Sequence, residues 1–222
     1  MSALLLGSIS TIADTSELQR QAFNEAFEAH GLDWHWDRDD YLAMLEQSGG
    51  RDRIAEYARS TGQDVDADAV HATKSEIFRS HLSSSPPPAR PGVVDAVKGA
   101  RGDGLKVALV TTTSPDNVAS LIDALGPDLA RDDFDLIVDS SSVGTPKPDA
   151  AAYAFALETL GESAEACVAV EDNVGGVEAA VAAGVSCVAF PNANTAGHDF
   201  GRATTRTDRL DLAELEGFTS RG

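Results

Sequence analysis

Residues 3–15 read Ala-Leu-Leu-Leu-Gly-Ser-Ile-Ser-Thr-Ile-Ala-Asp-Thr. The apolar run Leu4-Leu5-Leu6 is too short for a helix and suits a strand buried on both faces. Small and polar residues follow from Gly7 to Thr11, and a helix start is expected at Asp14-Thr15-Ser16-Glu17. There Asp14 caps free backbone N–H groups and Glu17 reaches back, as in a capping box. A buried strand that ends in a small-residue turn is where open α/β sheets place their ligand sites. Between Met1 and Ile12 there is no Asp, Glu, His, Cys or Lys, so this turn carries no acid, base or metal ligand.

Outward from that strand, Leu18, Ala22, Phe23, Ala26 and Phe27 recur at helical spacing, and His30-Gly31 ends the helix. Further helices are expected at 41–46, 53–59 and 67–82, with no strand signal among them, and Trp34 and Trp36 read as packing residues. The run Ser83 to Pro88 reads as a stiff polar linker. Beyond Pro91-Gly92, strands expected at 105–110, 134–138, 167–170 and 186–190 alternate with helices, the pattern of βαβ crossovers and a parallel sheet. The expected fold is therefore a doubly wound, Rossmann-like parallel α/β core formed by 1–15 and 87–222. Residues 16–86 are an inserted helical cap.

Composition narrows the function. The 222 residues carry 36 acidic against 17 basic side chains, a formal charge of -19, which argues against a nucleic-acid partner because phosphate backbones need a basic face. No apolar run approaches the ~20 residues of a spanning helix, and no signal peptide is evident, so the expectation is a cytoplasmic protein with no membrane role. Abundant surface carboxylate suits either a high-salt source or an ordinary acidic protein. Cys167 and Cys187 lie in apolar runs and read as reduced core residues.

The strand ends bring Gly7 to Thr11, Thr111-Thr112, Lys147 and Glu171-Asp172 towards one edge of the sheet. Taken singly, each also suits a turn residue, a solvated charge or a helix cap. Together, hydroxyls, an ammonium and a carboxylate pair around a small-residue turn suit a phosphate.

On these residues the chain resembles the haloacid-dehalogenase superfamily, in the branch of β-phosphoglucomutase and the Calvin-cycle-associated sugar-phosphate phosphatases. Asp14-Thr15-Ser16-Glu17 resembles the family's cap-helix start, and Ser48-Gly49-Gly50-Arg51 its cap specificity loop. Val110-Thr111-Thr112 resembles the second motif, and Lys147-Pro148-Asp149 the lysine motif. Val170-Glu171-Asp172 with Gly176-Val177-Glu178-Ala179-Ala180 resembles the metal-binding motif. The resemblance implies Mg²⁺-dependent phosphatase chemistry, with Thr111, Thr112 and Lys147 on phosphate, Glu171 and Asp172 on metal, and Arg51 on the distal part of the substrate.

The family's first motif is Asp-x-Asp-Gly-Thr, a nucleophile followed by an acid/base. Counted back from Asp14-Thr15, those two positions are Gly7 and Ile9 here, while Thr11 matches the motif's Thr and Ser10 replaces its Gly. Glycine has no group to attack phosphorus and isoleucine passes no proton. Ser8 is the one nearby nucleophile. Strand alternation directs it to the opposite face, and the local sequence offers it no base. With only Glu171 and Asp172 left, Mg²⁺ binding is expected to be weak or absent.

The first expectation is thus a catalytically inactive homologue that binds a phosphorylated small molecule or a protein partner. Its Lys147 either meets an anion or closes an ion pair with Asp172. The alternatives are an active hydrolase of a sugar phosphate with a substitute nucleophile, and an interaction protein with a collapsed site.

Overall fold

The computed structural model describes residues 1–45 and 49–219. The first strand, β1 (Ala3–Leu6), is fully buried, and each of its leucines gains about 1.5–3 kcal/mol by leaving water. A single helical turn, α1 (Ile9–Ile12), follows. Four helices come next: α2 (Ser16–Ala29), α3 (Arg38–Met44), α4 (Gly50–Thr61) and α5 (Ala67–Ser84). The chain then alternates through α6 (Val93–Gly102), β2 (Lys106–Val110), α7 (Pro115–Leu125), β3 (Leu136–Val138), α8 (Ala151–Leu160), β4 (Cys167–Glu171), α9 (Val174–Ala182) and β5 (Ser186–Ala189). It finishes with β6 (Thr205–Arg206) and α10 (Leu212–Glu216).

The strands form one sheet in the order β3-β2-β1-β4-β5-β6, with every pair parallel. Period-two alternation divides its residues between two cores. Leu4, Leu6, Leu109, Val168 and Val170 pack with α6 and α7, while Leu5, Ala108, Val110, Ala169 and Cys187 pack with α8 and α9. This is the doubly wound α/β arrangement expected from the sequence, and its strand order reverses at β1. The crevice beyond the carboxyl ends of β1 and β4 is therefore the natural ligand position.

Helices α2 to α4 and the start of α5 enclose a separate aromatic cluster of Phe23, Phe27, Trp34, Trp36 and Tyr41. The rings of Phe27 and Trp36 meet edge-on with centroids 4.6 Å apart, a contact worth about 0.5–1.5 kcal/mol beyond burial. Two chain crossings join this helical module to the sheet. Ala13 bridges Ala89, and the Arg90 N–H donates to the Ile12 carbonyl at 2.8 Å. The Arg90 guanidinium donates to the carbonyls of Ser10, Phe190 and Pro191 and lies 3.5 Å from the Phe190 ring centroid.

Several local expectations need correction. Glu17 does not reach back over the helix start; it pairs with Arg20 at 2.5 Å, and Asp14 accepts alone from the Ser16 backbone and hydroxyl. A guanidinium one turn away is a stronger partner than a backbone N–H. Residues 9–12 are a helical turn, and Thr205–Arg206 adds a sixth strand too short to show periodicity. Ser48 of the expected specificity loop, and Glu46 at the end of an expected helix, lie outside the described residues.

Candidate functional site

The register that sets Leu6 beside Val170 places Gly7 next to Glu171 and Ser8 next to Asp172 one rung further on. Glu171 is 0% exposed and folds across the glycine. A Cβ on Gly7 would come within 3.0 Å of its Cδ and both carboxylate oxygens, and a Cβ on Gly176 in the first turn of α9 would do the same. The carboxylate is thus lodged between two residues that have no side chain. Its Oε1 accepts from Lys147 Nζ at 2.6 Å and from the Tyr153 hydroxyl at 2.7 Å, while Oε2 has no partner among the described residues. Burial pushes the Glu171 carboxyl above the usual carboxylate range, against the pull of Lys147.

Lys147 is 5% exposed, and its ammonium also donates to the carbonyls of Gly7 and Val110. Those two bonds and the one to Glu171 engage all three ammonium donors. The ion pair expected with Asp172 is therefore made with Glu171 instead. Glu171 and Gly7 share the sheet face that Lys147 and Tyr153 cover, whereas Asp172 leaves the end of β4 on the other side.

Asp172 collects neutral donors. Its Oδ1 accepts from Ser8 Oγ at 2.6 Å, from Thr11 Oγ1 at 3.4 Å and from Asn173 Nδ2 at 3.2 Å, and its Oδ2 accepts from Asn192 Nδ2 at 3.0 Å. Ser8 points into the site, contrary to the alternation expected of it, because the strand has ended at Leu6. It caps α1 by accepting from the Thr11 N–H. Asp172 is thus a carboxylate beside Ser8, a neighbour that the local sequence did not show. Asn192 and Thr195, in a loop to which the sequence assigned no chemistry, also belong here. Thr195 donates to the Asp172 carbonyl at 2.6 Å, and Asn192 Oδ1 holds the N–H groups of Asn194 and Thr195.

A cavity of about 400 Å³ separates this edge from the helical module. Its floor includes Ser8, Thr111, Thr112, Asp172 and Asn173, and its roof includes Gln19, Arg51, Arg53, His71 and Lys74. The expected phosphate residues Thr111 and Thr112 and the expected distal residue Arg51 thus face one space, while Lys147 and Glu171 lie outside it. Arg51 is exposed and donates to Asp68 at 2.7 Å and to Asp52 at 3.0 Å. Lys74 is 3% exposed. Burial, with Arg53 adding to it, holds its ammonium down to about 7, and burial lowers His71 to about 4. At the rim, Arg38 donates to Asn194 Oδ1 at 3.0 Å and to the Ala193 carbonyl, and Arg79 donates to Asn117 at 3.3 Å.

As a magnesium site the donor set does not fit. Glu171 is behind Gly7, both Asp172 oxygens accept hydrogen bonds, and no group of three or more His, Cys, Asp or Glu gathers among the described residues. Magnesium demands near-ideal octahedral oxygen geometry.

Comparison with known proteins bears on this geometry. The profile of the haloacid dehalogenase-like hydrolases matches residues 10–184, beginning just past Gly7 and Ile9. Protein CbbY of Rhodobacter capsulatus is 36% identical over 219 residues, 97% of this chain and 96% of that one. Protein CbbY of Cereibacter sphaeroides is 37% identical over 218 residues, 97% and 94% of the two chains. Among solved structures, CbbY from Rhodobacter sphaeroides in complex with phosphate is 35% identical with a TM-score of 0.91, covering 97% of this chain and 99% of that one. A mutant of the same protein in complex with xylulose-(1,5)-bisphosphate matches equally well. Among the described residues no helix is long and apolar enough to cross a membrane.

Proposed function

Since the chain belongs to the haloacid dehalogenase-like hydrolase family, we propose that it is a CbbY-like protein that binds a phosphorylated sugar without hydrolysing it. The observation that carries this reading is the Glu171 carboxylate on the ground of the missing Gly7 side chain. The resemblance assigns that position to a nucleophile and the Ile9 position to an acid/base, and loss of such a unit costs on the order of 10⁴ to 10⁶ in rate. Because the donors do not fit Mg²⁺, no step is routed through a metal.

What remains is a binding geometry, with the helical module acting as its cap. Thr111 and Thr112 offer hydroxyls at the floor, Arg53 places a guanidinium at the roof, and Arg51 stands beside it in contact with Asp68 and Asp52. A ligand anionic at one end or both fits between them, which agrees with the phosphate and xylulose-(1,5)-bisphosphate bound by the Rhodobacter sphaeroides protein. The cavity itself favours a small ligand over a collapsed site.

The test pairs two measurements on the unmodified protein. Phosphate release from a panel of sugar phosphates is followed with Mg²⁺ and with EDTA, and thermal unfolding is followed with orthophosphate and with xylulose-1,5-bisphosphate. The expected result is no metal-dependent turnover and a raised Tm, because a ligand bound only to the folded state must stabilise it. Metal-dependent turnover would defeat the inactive reading, and an unmoved Tm would defeat the binding reading.

One contact favours a second reading, an active sugar-phosphate hydrolase with a substitute nucleophile. Ser8 Oγ donates to Asp172 at 2.6 Å on the cavity floor, the arrangement of a nucleophile beside a base. Turnover that disappears in Ser8→Ala, with binding retained, would establish it.

A further inference from the structure

We propose that the side-chain amine of Lys74 is a nucleophile that captures phosphorylated aldehydes or ketones as Schiff bases inside the cavity. Lys74 projects from α5 into the roof of that space while staying 97% shielded from bulk water, and its Nζ meets no carboxylate among the described residues. Its polar contact is the Gln19 carbonyl at 3.0 Å, and the faces of Phe23 and Phe78 lie 4.7 and 5.0 Å away. The titratable groups that act on it are the Arg53 guanidinium, from α4, and His71, one turn earlier on its own helix, whose imidazole burial keeps neutral near pH 7. Desolvation beside another cation is a standard way to turn a lysine into a free amine near neutral pH, and burial with Arg53 does hold this ammonium down to about 7.

The other lysines lack this combination. Lys147 is saturated by Glu171 and two carbonyls, Lys106 pairs with Glu162 at 2.7 Å, and Lys98 is exposed.

The chemistry balances without a co-reactant. The neutral amine attacks the carbonyl carbon, forming the N–C bond as the C=O π pair moves to oxygen, and the nitrogen, made cationic by the attack, passes one of its protons to that oxygen to give the carbinolamine. The carbinolamine then loses water, made of that hydroxyl and a proton from nitrogen, to leave C=N. Hydrolysis reverses both steps. Gln19 accepts one N–H and so orients the amine, while Arg51 and Arg53 supply charge for the phosphate of the same molecule.

The capture needs an open cavity and does not depend on whether the core site hydrolyses. The test incubates the full chain with pyridoxal 5′-phosphate as the probe, reduces with borohydride and maps the modified peptides. At about pH 7.5 the expected result is one adduct, at Lys74, formed at least about tenfold faster than at Lys98, which is exposed, or Lys106, which pairs with Glu162. It is suppressed by excess orthophosphate and absent in Lys74→Arg, which keeps the charge. Should that variant not fold, competition by orthophosphate on the unmodified chain decides the matter. Modification at Lys98 and Lys106 with Lys74 untouched overturns the proposal. Stabilisation by orthophosphate without a Lys74 adduct overturns it while leaving the binding reading in place, and a Lys74 adduct without such stabilisation does the reverse.

Discussion

The Glu171 carboxylate stands where a Cβ on Gly7 would have to be, and Lys147 and Tyr153 hold it there. A buried acid fills the space beside the glycine, and the same acid engages the lysine. The space, the acid and the ammonium are coupled, so each is perturbed through the others.

Gly7→Ala should destabilise the fold by about 1–3 kcal/mol, the usual cost of adding a methyl group to a filled interior. Glu171→Ala should cost about 3–5 kcal/mol, because it leaves the Lys147 ammonium buried without its acid. Combined, the two should cost at least ~1 kcal/mol less than their sum, since the methyl then occupies vacated space. Urea unfolding of the four proteins measures this. Additive costs would show that Glu171 does not fill the Gly7 position.

Restoring both carboxylates, Gly7→Asp with Ile9→Asp, gathers four acids within one strand end and the next. Without metal that variant should have a lower Tm than the parent, from like-charge repulsion and the loss of a buried isoleucine. Mg²⁺ should recover most of the loss and bring some phosphatase turnover, while leaving the parent's Tm unmoved. A parent protein stabilised by Mg²⁺ would contradict the poor fit of its own donors.

Lys74 makes stability depend on pH in a defined window. The folded protein releases this proton near 7, and the unfolded chain holds it to the ordinary value of 10.5. Between those values the unfolded state binds more protons, so stability rises with pH, and below 7 this contribution is absent. Lys74→Met should flatten that rise. Denaturation curves at about pH 7 and pH 10 read the difference, and equal slopes for the two proteins would place Lys74 in a solvated setting.

Asn192→Ala should cost about 1–3 kcal/mol, the penalty for leaving buried polar groups unmet. It strips a donor from Asp172 and an acceptor from the N–H groups of Asn194 and Thr195. Ser8→Ala should cost ~1 kcal/mol as a lost helix cap. Chemical denaturation of each settles these values, and an unchanged midpoint for Asn192→Ala would mean the loop is held by other contacts.

The parallel sheet was legible because its strands announce themselves as apolar runs bounded by Gly, Thr and Asp, and counting from Asp14-Thr15 located Gly7 and Ile9. Motif spacing cannot say where a side chain goes when its neighbour shrinks. Glu171 lies in the space at Gly7 and pairs with Lys147 where Asp172 was expected to, which depends on cross-strand register. Ser8 escaped the alternation rule because one residue beyond Leu6 the chain is no longer a strand. Asn192 and Thr195 carry no pattern at all; they matter because β5 ends beside β4. Nothing in the spacing marks Lys74 either, because what sets it apart is the pair of aromatic rings packed around it.

The paired crossings at Ala13 and Ala89 also fix what the helical roof stands on. Two strands of chain lie side by side there, joined by the Arg90 N–H to Ile12 and clamped by the Arg90 guanidinium, and Phe78 and Leu82 of α5 pack into the same core as Ile12 and Ala13. The roof is thus rooted in the sheet's own interior on that side, while Arg38 meets Asn194 and the Ala193 carbonyl through side-chain hydrogen bonds alone. Its two attachments differ in kind: one is backbone and core, the other a guanidinium.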